Sequence, residues 1–561
     1  MLVYRIGVLV LVLSLNAMAA VRYVDQNHPQ ATDQGPGSAD RPFLTVSRAV
    51  MGVAPGDTVI IRPGRYVERS IIINRSGTPE APITFMAEVP GTVVISGGDR
   101  QDKYHHREYP LLFGPPRRDP ANPERWEGAQ WITLRGLVFE NAIGTAIGAG
   151  TGWRIEDCII DRADYDGIAA RGDNITILRT VIQDCGNNGM SGGFGKNITV
   201  KDTIIRRCNQ FPDSPGGNSG ACKFLVTQGM RVEGVISYDN YGSGWWMDWD
   251  NSDYVITRCT IFGNHAGVGL ENGRDRVDQP WAAVGIWTEA NTGNGWITDN
   301  VIYSNVSAGI GILDSRNVVV EGNTIVDCGT GIEFRDLNRD GVNHDAERQR
   351  NIWNITVRHN RIKAWRGDYA MVTSIGEFKR GNRPSDYQVT IDGNIYDPQQ
   401  DSGKRFIRWV NQAADTLDQA RQRLGVDHNS RIESFDFAPD LIATRSSGDA
   451  ELASTDPDRF RQVDSREAEA NGFDEALAGA SVGDIVTLNV HGRTSTVVAD
   501  GQMYAEIYDL ARKRHLTLSL TEATRHKLES AVPVYAVLKP IPLKVRITSL
   551  KPYALQGELA N

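Results

Sequence analysis

From Trp153 to Asn360 the chain repeats one short phrase: an aliphatic pair, a polar residue, Cys or Asn, then glycine and a second aliphatic pair. Aligned on that phrase, Ile155, Ile177, Val200, Val232, Ile256, Ile297, Val320 and Val357 share one phase, and the uninterrupted steps are 22 to 24 residues. A period of that length marks a solenoid, in which each turn packs only on its neighbours. Within a copy, as in NITILRTVIQDCGNNGM, short runs alternate apolar and polar residues and are separated by Gly, Asn and Asp. That pattern predicts brief strands joined by tight turns. With three strands per turn and no helical spacing between them, the expected fold is all-β, a right-handed parallel β-helix. The Leu-x-x-Leu-x-Leu signature of a leucine-rich horseshoe is missing.

The two ends read differently. Arg5, an apolar run from Ile6 to Leu15 and Ala17-Met18-Ala19 have the layout of a secretory signal over residues 1–19, too short to span a bilayer. The mature protein is expected to start at Ala20 or Val21 and to be secreted or periplasmic; an uncleaved anchor is the alternative. Residues 20–130 read as an N-terminal cap and first rungs. There PFLTVSRAVMGV forms a helix over the open end of the core, and a Pro-, Arg- and Asp-rich excursion runs from Asp99 to Ala129. The β-helix core is expected over 131–400, a helix in AADTLDQARQRLGV and then a linker over 401–471, and a small β-rich accessory domain over 472–561.

Composition narrows the partners. Sixty basic against 69 acidic residues give a formal charge of −9, which argues against nucleic acid or an anionic membrane surface. A polysaccharide, acidic in character, remains compatible because a local basic cleft can coexist with a negative average, and a monomer is expected. Export would suggest disulfides among the six cysteines, but Cys185, Cys208 and Cys328 fall at the repeat site held elsewhere by Asn240, Asn264 and Asn305. Cys158 and Cys259 likewise share a second site with Asn300 and Asn323. Residues of one phase stack, so buried free thiols in an asparagine ladder are expected, with Cys185–Cys208 the one pairing to check.

The repeat lengthens at three places, to 32 residues before Val232, 41 before Ile297 and 37 before Val357. Each insertion lies beside the strand that follows the Cys/Asn ladder, and loops that lengthen on one edge of a solenoid wall a groove. With period-2 alternation, the outward row of that strand holds Arg171, Trp246, Asp248, Asp250, Trp287, Glu289 and Arg335. Carboxylates and tryptophans on neighbouring rungs make a bed for a sugar chain; a plain solvated face is the alternative. Lys223 has two placements. Phase counting sets it inward with Met247 and Thr288, where an unpaired ammonium is costly; a one-residue parity shift caused by the preceding insertion would bring it into the groove beside Asp248.

The third insertion carries DLNRDGVNHDAE, which satisfies D-x-N-x-D-G-x5-E. Asp336, Asn338, Asp340, the Val342 carbonyl, His344 through water, and Glu347 then stand where a twelve-residue calcium loop puts its ligands, with Gly341 at the sharp turn. A structural calcium ion is expected, against the alternative of an acidic surface loop. Asn343 departs from the apolar residue usual there.

The segments RPFLTVSRAV, PGDTVIIRPGRYVE, PITFMAE and VVISG resemble the opening of secreted β-helix proteins of the chondroitinase B and alginate lyase type. GACKFLVTQGMRVEGVISYDNYGSGWWMDWDN is similar to a Gly-x-x-Lys and Gly-x-Gly-x-Trp-x-Asp-x-Asp-Asn pattern of right-handed parallel β-helix repeat proteins. The same architecture includes pectate lyases, in which a lysine is the base and aspartates hold calcium. The resemblance implies Lys223 as that base; of the upstream aspartates only Asp164 and Asp166 remain.

Three functions follow as expectations. A lyase would cleave a uronic-acid-containing polysaccharide by β-elimination, with Lys223 as base, Arg171 or Arg335 on the uronate carboxylate and the tryptophans as platform. A glycoside hydrolase would use Asp248, Asp250 and Glu289 as acid and base or nucleophile. A non-catalytic solenoid would bind polysaccharide or act at the cell surface.

Overall fold

The computed structural model describes residues 19–99, 110–114, 117–119, 122–209, 220–264, 282–337, 339, 349–365, 371–398, 406–435 and 437, and the backbone of six strands between 485 and 559. The signal segment up to residue 18 lies outside the described residues. No described helix is long and apolar enough to cross a membrane.

Three sheets of 13 strands each make the coil, the first from Val21–Val24 to Val389–Asp392, the second from Gly64–Val67 to Arg431–Ile432, the third from Ile71–Ile72 to Gln412–Ala414. Pairing is parallel throughout the coil except for the terminal hairpin of Ile407–Trp409 with Gln412–Ala414. The eight residues of shared phase are successive Cα partners in the first sheet, Ile155 to Ile177 to Val200 and on to Val357. All eight are buried in a core that runs the length of the coil. The sheets continue past residue 400 to Ile432, beyond the expected end of the repeats.

The corner before each third-sheet strand explains the recurrent glycine. A Cβ on Gly244 would stand 2.3 Å from Ile261 Cγ2 and 2.7 Å from the Gly285 carbonyl oxygen, closer than any side chain tolerates. The asparagine ladders satisfy the corner backbone as expected. Cys208 N–H donates to Asn240 Oδ1 at 3.1 Å, Asn240 N–H to Asn264 Oδ1 at 3.1 Å, and Asn264 N–H to Asn305 Oδ1 at 3.2 Å. The second ladder runs from Cys259 through Asn300 and Asn323 to Asn360 and Asn394. All six cysteines are buried and none forms a disulfide; five fill the ladder columns where no amide is present, and Cys222 points into the core from its third-sheet strand.

The N-terminal helix is short, Val46–Ala49 followed by a 3-10 turn to Gly52, with Thr45 accepting from Arg48 N–H at 3.1 Å as its N-cap. Val46, Ala49 and Val50 face the core, as a cap on the first rung requires. At the other end Leu417–Gln419 and Ala420–Leu424 form the second helix, stopped by Gly425 in the left-handed region. Farther on, the six C-terminal strands form one sheet of their own, antiparallel apart from the pair Arg514–Leu520 and Ala554–Leu559.

Candidate active site on the third sheet

The strands that build the site are Cys222–Leu225, Trp245–Asp248, Ile286–Glu289 and Ala308–Leu313. Their inward residues, among them Phe224, Trp245 and Met247, are fully buried, and the Phe224 and Trp245 rings stack at 5.8 Å. A further ladder fixes where these strands end. Thr227 N–H donates to Asn251 Oδ1 at 2.9 Å, Asn251 N–H to Asn291 Oδ1 at 2.7 Å, and Asn291 N–H to Ser315 Oγ at 3.2 Å. Asn251 also donates to the Asp248 carbonyl at 2.5 Å and Asn291 to the Met247 carbonyl at 2.7 Å, so the turn is tied to the rung that carries the site.

Register decides the placement of Lys223. Phe224, not Lys223, pairs with Met247, and Lys223 follows Ser191 in the outward column. The inward phase count is therefore wrong by one residue. The insertion before the strand shifts its parity, and an aromatic ring fills the core where a lysine would have been buried without a partner. Lys223 Nζ lies 3.0 Å from Asp248 Oδ2 and 4.0 Å from the centre of the Trp246 ring.

Asp248 and Glu289 are Cα partners on adjacent rungs, about 4.8 Å apart by strand spacing. Burial, and next the charge of Asp248, push the Glu289 carboxyl up to about 7. Its Oε1 lies 2.9 Å from Arg339 Nη2, while Oε2 is buried with no hydrogen-bond partner among the described residues. Arg339 Nε in turn bonds Asp314 Oδ2 at 2.5 Å, and the Asp314 side chain is fully buried. Arg339 belongs to the third insertion; reading alternate positions of that segment as metal ligands passes over it, and no periodicity marks it.

Two expectations fail in an instructive way. Trp246 and Trp287 do point outward, and their rings stack at 4.8 Å, but each is only 2% exposed. Ala282 and Val284, which end the second insertion, pack over them with Ala308 and Leu313. The indoles are thus an internal wall of the site and not an open platform, because the insertion removes their apolar area from water. Asp250 is not on the outward row either. The strand ends at Asp248, and Trp249 and Asp250 both adopt positive φ, which turns the chain out of the alternation. Its carboxylate bonds Arg350 Nη2 at 2.8 Å, and the Arg350 guanidinium lies 4.2 Å from the centre of the Trp249 ring.

Arg335 lies on the row, with its guanidinium bonded to Glu333 two residues earlier. Arg171 follows the strand Ile168–Ala170 and is exposed. Of the calcium-loop residues, Asn338, Asp340, Val342, His344 and Glu347 lie outside the described residues. Asp336 ends the strand Thr330–Asp336, is buried, and accepts from Ile352 N–H at 3.4 Å.

The calcium that the pectate-lyase resemblance implies beside the lysine does not fit the residues there. Asp166 is buried and accepts from Asn187 Nδ2 at 2.8 Å, Asn188 N–H at 3.1 Å and Ser191 Oγ at 2.5 Å. Amide and hydroxyl hydrogens thus occupy a carboxylate that a cation would need, and burial raises its pKa. No group of three or more His, Cys, Asp or Glu suited to a metal occurs among the described residues.

The third sheet of a parallel β-helix thus carries a lysine and a carboxylate pair, which the Arg339 guanidinium reaches from the third insertion. The chain belongs to the Pel9A-like right-handed β-helix family, whose model matches residues 23–310; a second right-handed β-helix model matches 279–383. Uncharacterized protein YwoF of Bacillus subtilis (strain 168) is 33% identical over 120 residues, 21% of this chain and 24% of that protein. Pectate lyase L of Dickeya dadantii (strain 3937) is 22% identical over 333 residues, 56% of this chain and 68% of that one. The crystal structure of pectate lyase Pel9A aligns over 64% of this chain and 78% of its own, with a TM-score of 0.39 and 19% identity. The match thus spans about a quarter of the first curated relative, and the structural likeness is one of fold.

Proposed function

We propose that the protein is a secreted or periplasmic lyase that cleaves a uronic-acid-containing polysaccharide by β-elimination. The observation that carries the reading is Lys223, brought onto the outer face beside Asp248 and one rung from Glu289. In this reaction Lys223, as the amine, takes the proton from the carbon next to the uronate carboxylate. The carbon–oxygen bond to the 4-linked sugar breaks, a carbon–carbon double bond forms, and the leaving oxygen gains a proton. Glu289, with its proton held to about pH 7, is the donor at hand for that oxygen or for the uronate carboxylate. Arg171, exposed after its strand, and Arg335, on the outward row, are the candidate partners for an acidic sugar. The family membership and the similarity to pectate lyase L support the reading.

Hydrolysis is the second reading, and one observation favours it. Asp248 and Glu289 face each other across a single rung, and their environments differ, with Lys223 against Asp248 and burial acting on Glu289. Such a pair can divide into nucleophile and acid. Incubation of the mature protein with a panel of uronic-acid polymers separates the two. Ultraviolet absorbance from the conjugated double bond supports elimination; new reducing ends without that absorbance overturn it in favour of hydrolysis.

A further inference from the structure

The third insertion reaches the site through two arginines near its ends. Arg350 bonds Asp250, and Arg339 spans Asp314 and Glu289, while both guanidinia lie against the Trp249 ring, at 4.2 and 5.8 Å from its centre. Anchoring of the segment alone accounts for only part of this. Asp314 already receives Leu337 N–H at 2.7 Å and Arg339 Nε at 2.5 Å, which fixes the chain at that point. The second arm of the guanidinium turns to Glu289, a carboxyl that the strand alone would hold buried beside Asp248.

We infer that Arg339 is a positioning residue for the reaction: it orients the Glu289 carboxyl toward the substrate side and sets the pH at which that carboxyl gives up its proton. The inference rests on the proposed function only in placing Glu289 at the reaction centre. The charged groups facing Glu289 are Asp248 from the preceding rung, Lys223 beyond it, and Arg339 with Asp314 behind it; the following rung offers uncharged Leu313. Burial and Asp248 favour the neutral acid, whereas Arg339 first and Lys223 after it favour the carboxylate. The guanidinium, shared with Asp314, is the larger of the two opposing influences.

The test needs no substrate. Trp287 lies two residues before Glu289 on the same strand, so tryptophan fluorescence followed against pH, with Glu289→Gln subtracted as the blank, reports this titration. Arg339→Gln should raise its midpoint by about one pH unit or more, and Arg339→Lys should restore most of the difference. Asp314→Asn should move the midpoint downward, because it leaves more of the guanidinium charge to Glu289. Opposite shifts from the arginine and from its second partner cannot come from general loosening of the fold. Midpoints unchanged in both variants, with only a lower melting temperature, would reduce Arg339 to an anchor and overturn the inference. If Arg339→Gln does not fold, Arg339→Lys and Asp314→Asn decide it. Once a substrate is known, the pH profile of kcat should move in the same directions. Shifted midpoints with no unsaturated product from any polymer would leave this inference standing and remove the lyase reading.

Discussion

Lys223 and Asp248 form an ion pair of 3.0 Å across one rung of the coil, with both side chains largely withdrawn from water, at 14% and 13% exposure. The two residues stand on third-sheet strands of adjacent rungs, Cys222–Leu225 and Trp245–Asp248. Their meeting depends on the parity shift that turns Lys223 outward and Phe224 inward.

Lys223→Ala should lower the rate of elimination by about a hundred- to ten-thousandfold, the range for removal of a proton-transfer group. Initial rates on the responsive polymer check this. A fall of less than tenfold would move the base elsewhere on the face.

Replacing the inner indole separates packing from sugar binding. Trp246→Ala should cost about 3–5 kcal/mol in denaturant unfolding, as for other large buried aromatics, since it removes the middle of the Lys223, Trp246 and Trp287 stack. A variant of normal stability that had lost only its affinity for polysaccharide would restore the open platform.

Glu289 predicts a direction for stability against pH. Its folded pKa is raised from 4.5 to about 7, so the folded chain binds more protons than the unfolded chain between those values. The contribution of this group is fully present below about 4.5 and is lost as pH rises through 7. The loss is on the order of 3 kcal/mol. Glu289→Gln should flatten that part of the stability curve, and equal slopes for variant and parent would refute the assignment.

Calcium in the 336–347 loop is proposed on its sequence pattern alone. Chelation should lower the melting temperature, and added calcium should restore it, with magnesium ineffective at equal concentration. Identical melting with and without chelator would leave an acidic loop without metal.

The periodic part of the molecule was legible residue by residue. Ile155 and its seven phase-mates, the two ladders of Cys and Asn, and the corner glycines each report a position that recurs on every turn. Stacking makes such positions identical neighbours, so the pattern in the chain is the pattern in space. Arg339, Asp314 and the Asn251 to Ser315 ladder were missed, because each occurs beside an insertion where the repeat gives no phase.

The amino-acid order by itself determined the coil, its phase and the row that holds Asp248 and Glu289, since a parallel rung fixes side-chain direction through strand alternation. Only the tertiary structure decided that Lys223 turns outward, that Trp246 and Trp287 lie under the residues Ala282 and Val284, and that Arg339 reaches Glu289. Those contacts join rungs to insertions, and an insertion carries no register of its own. Where it settles depends on which apolar area and which buried charges it can cover.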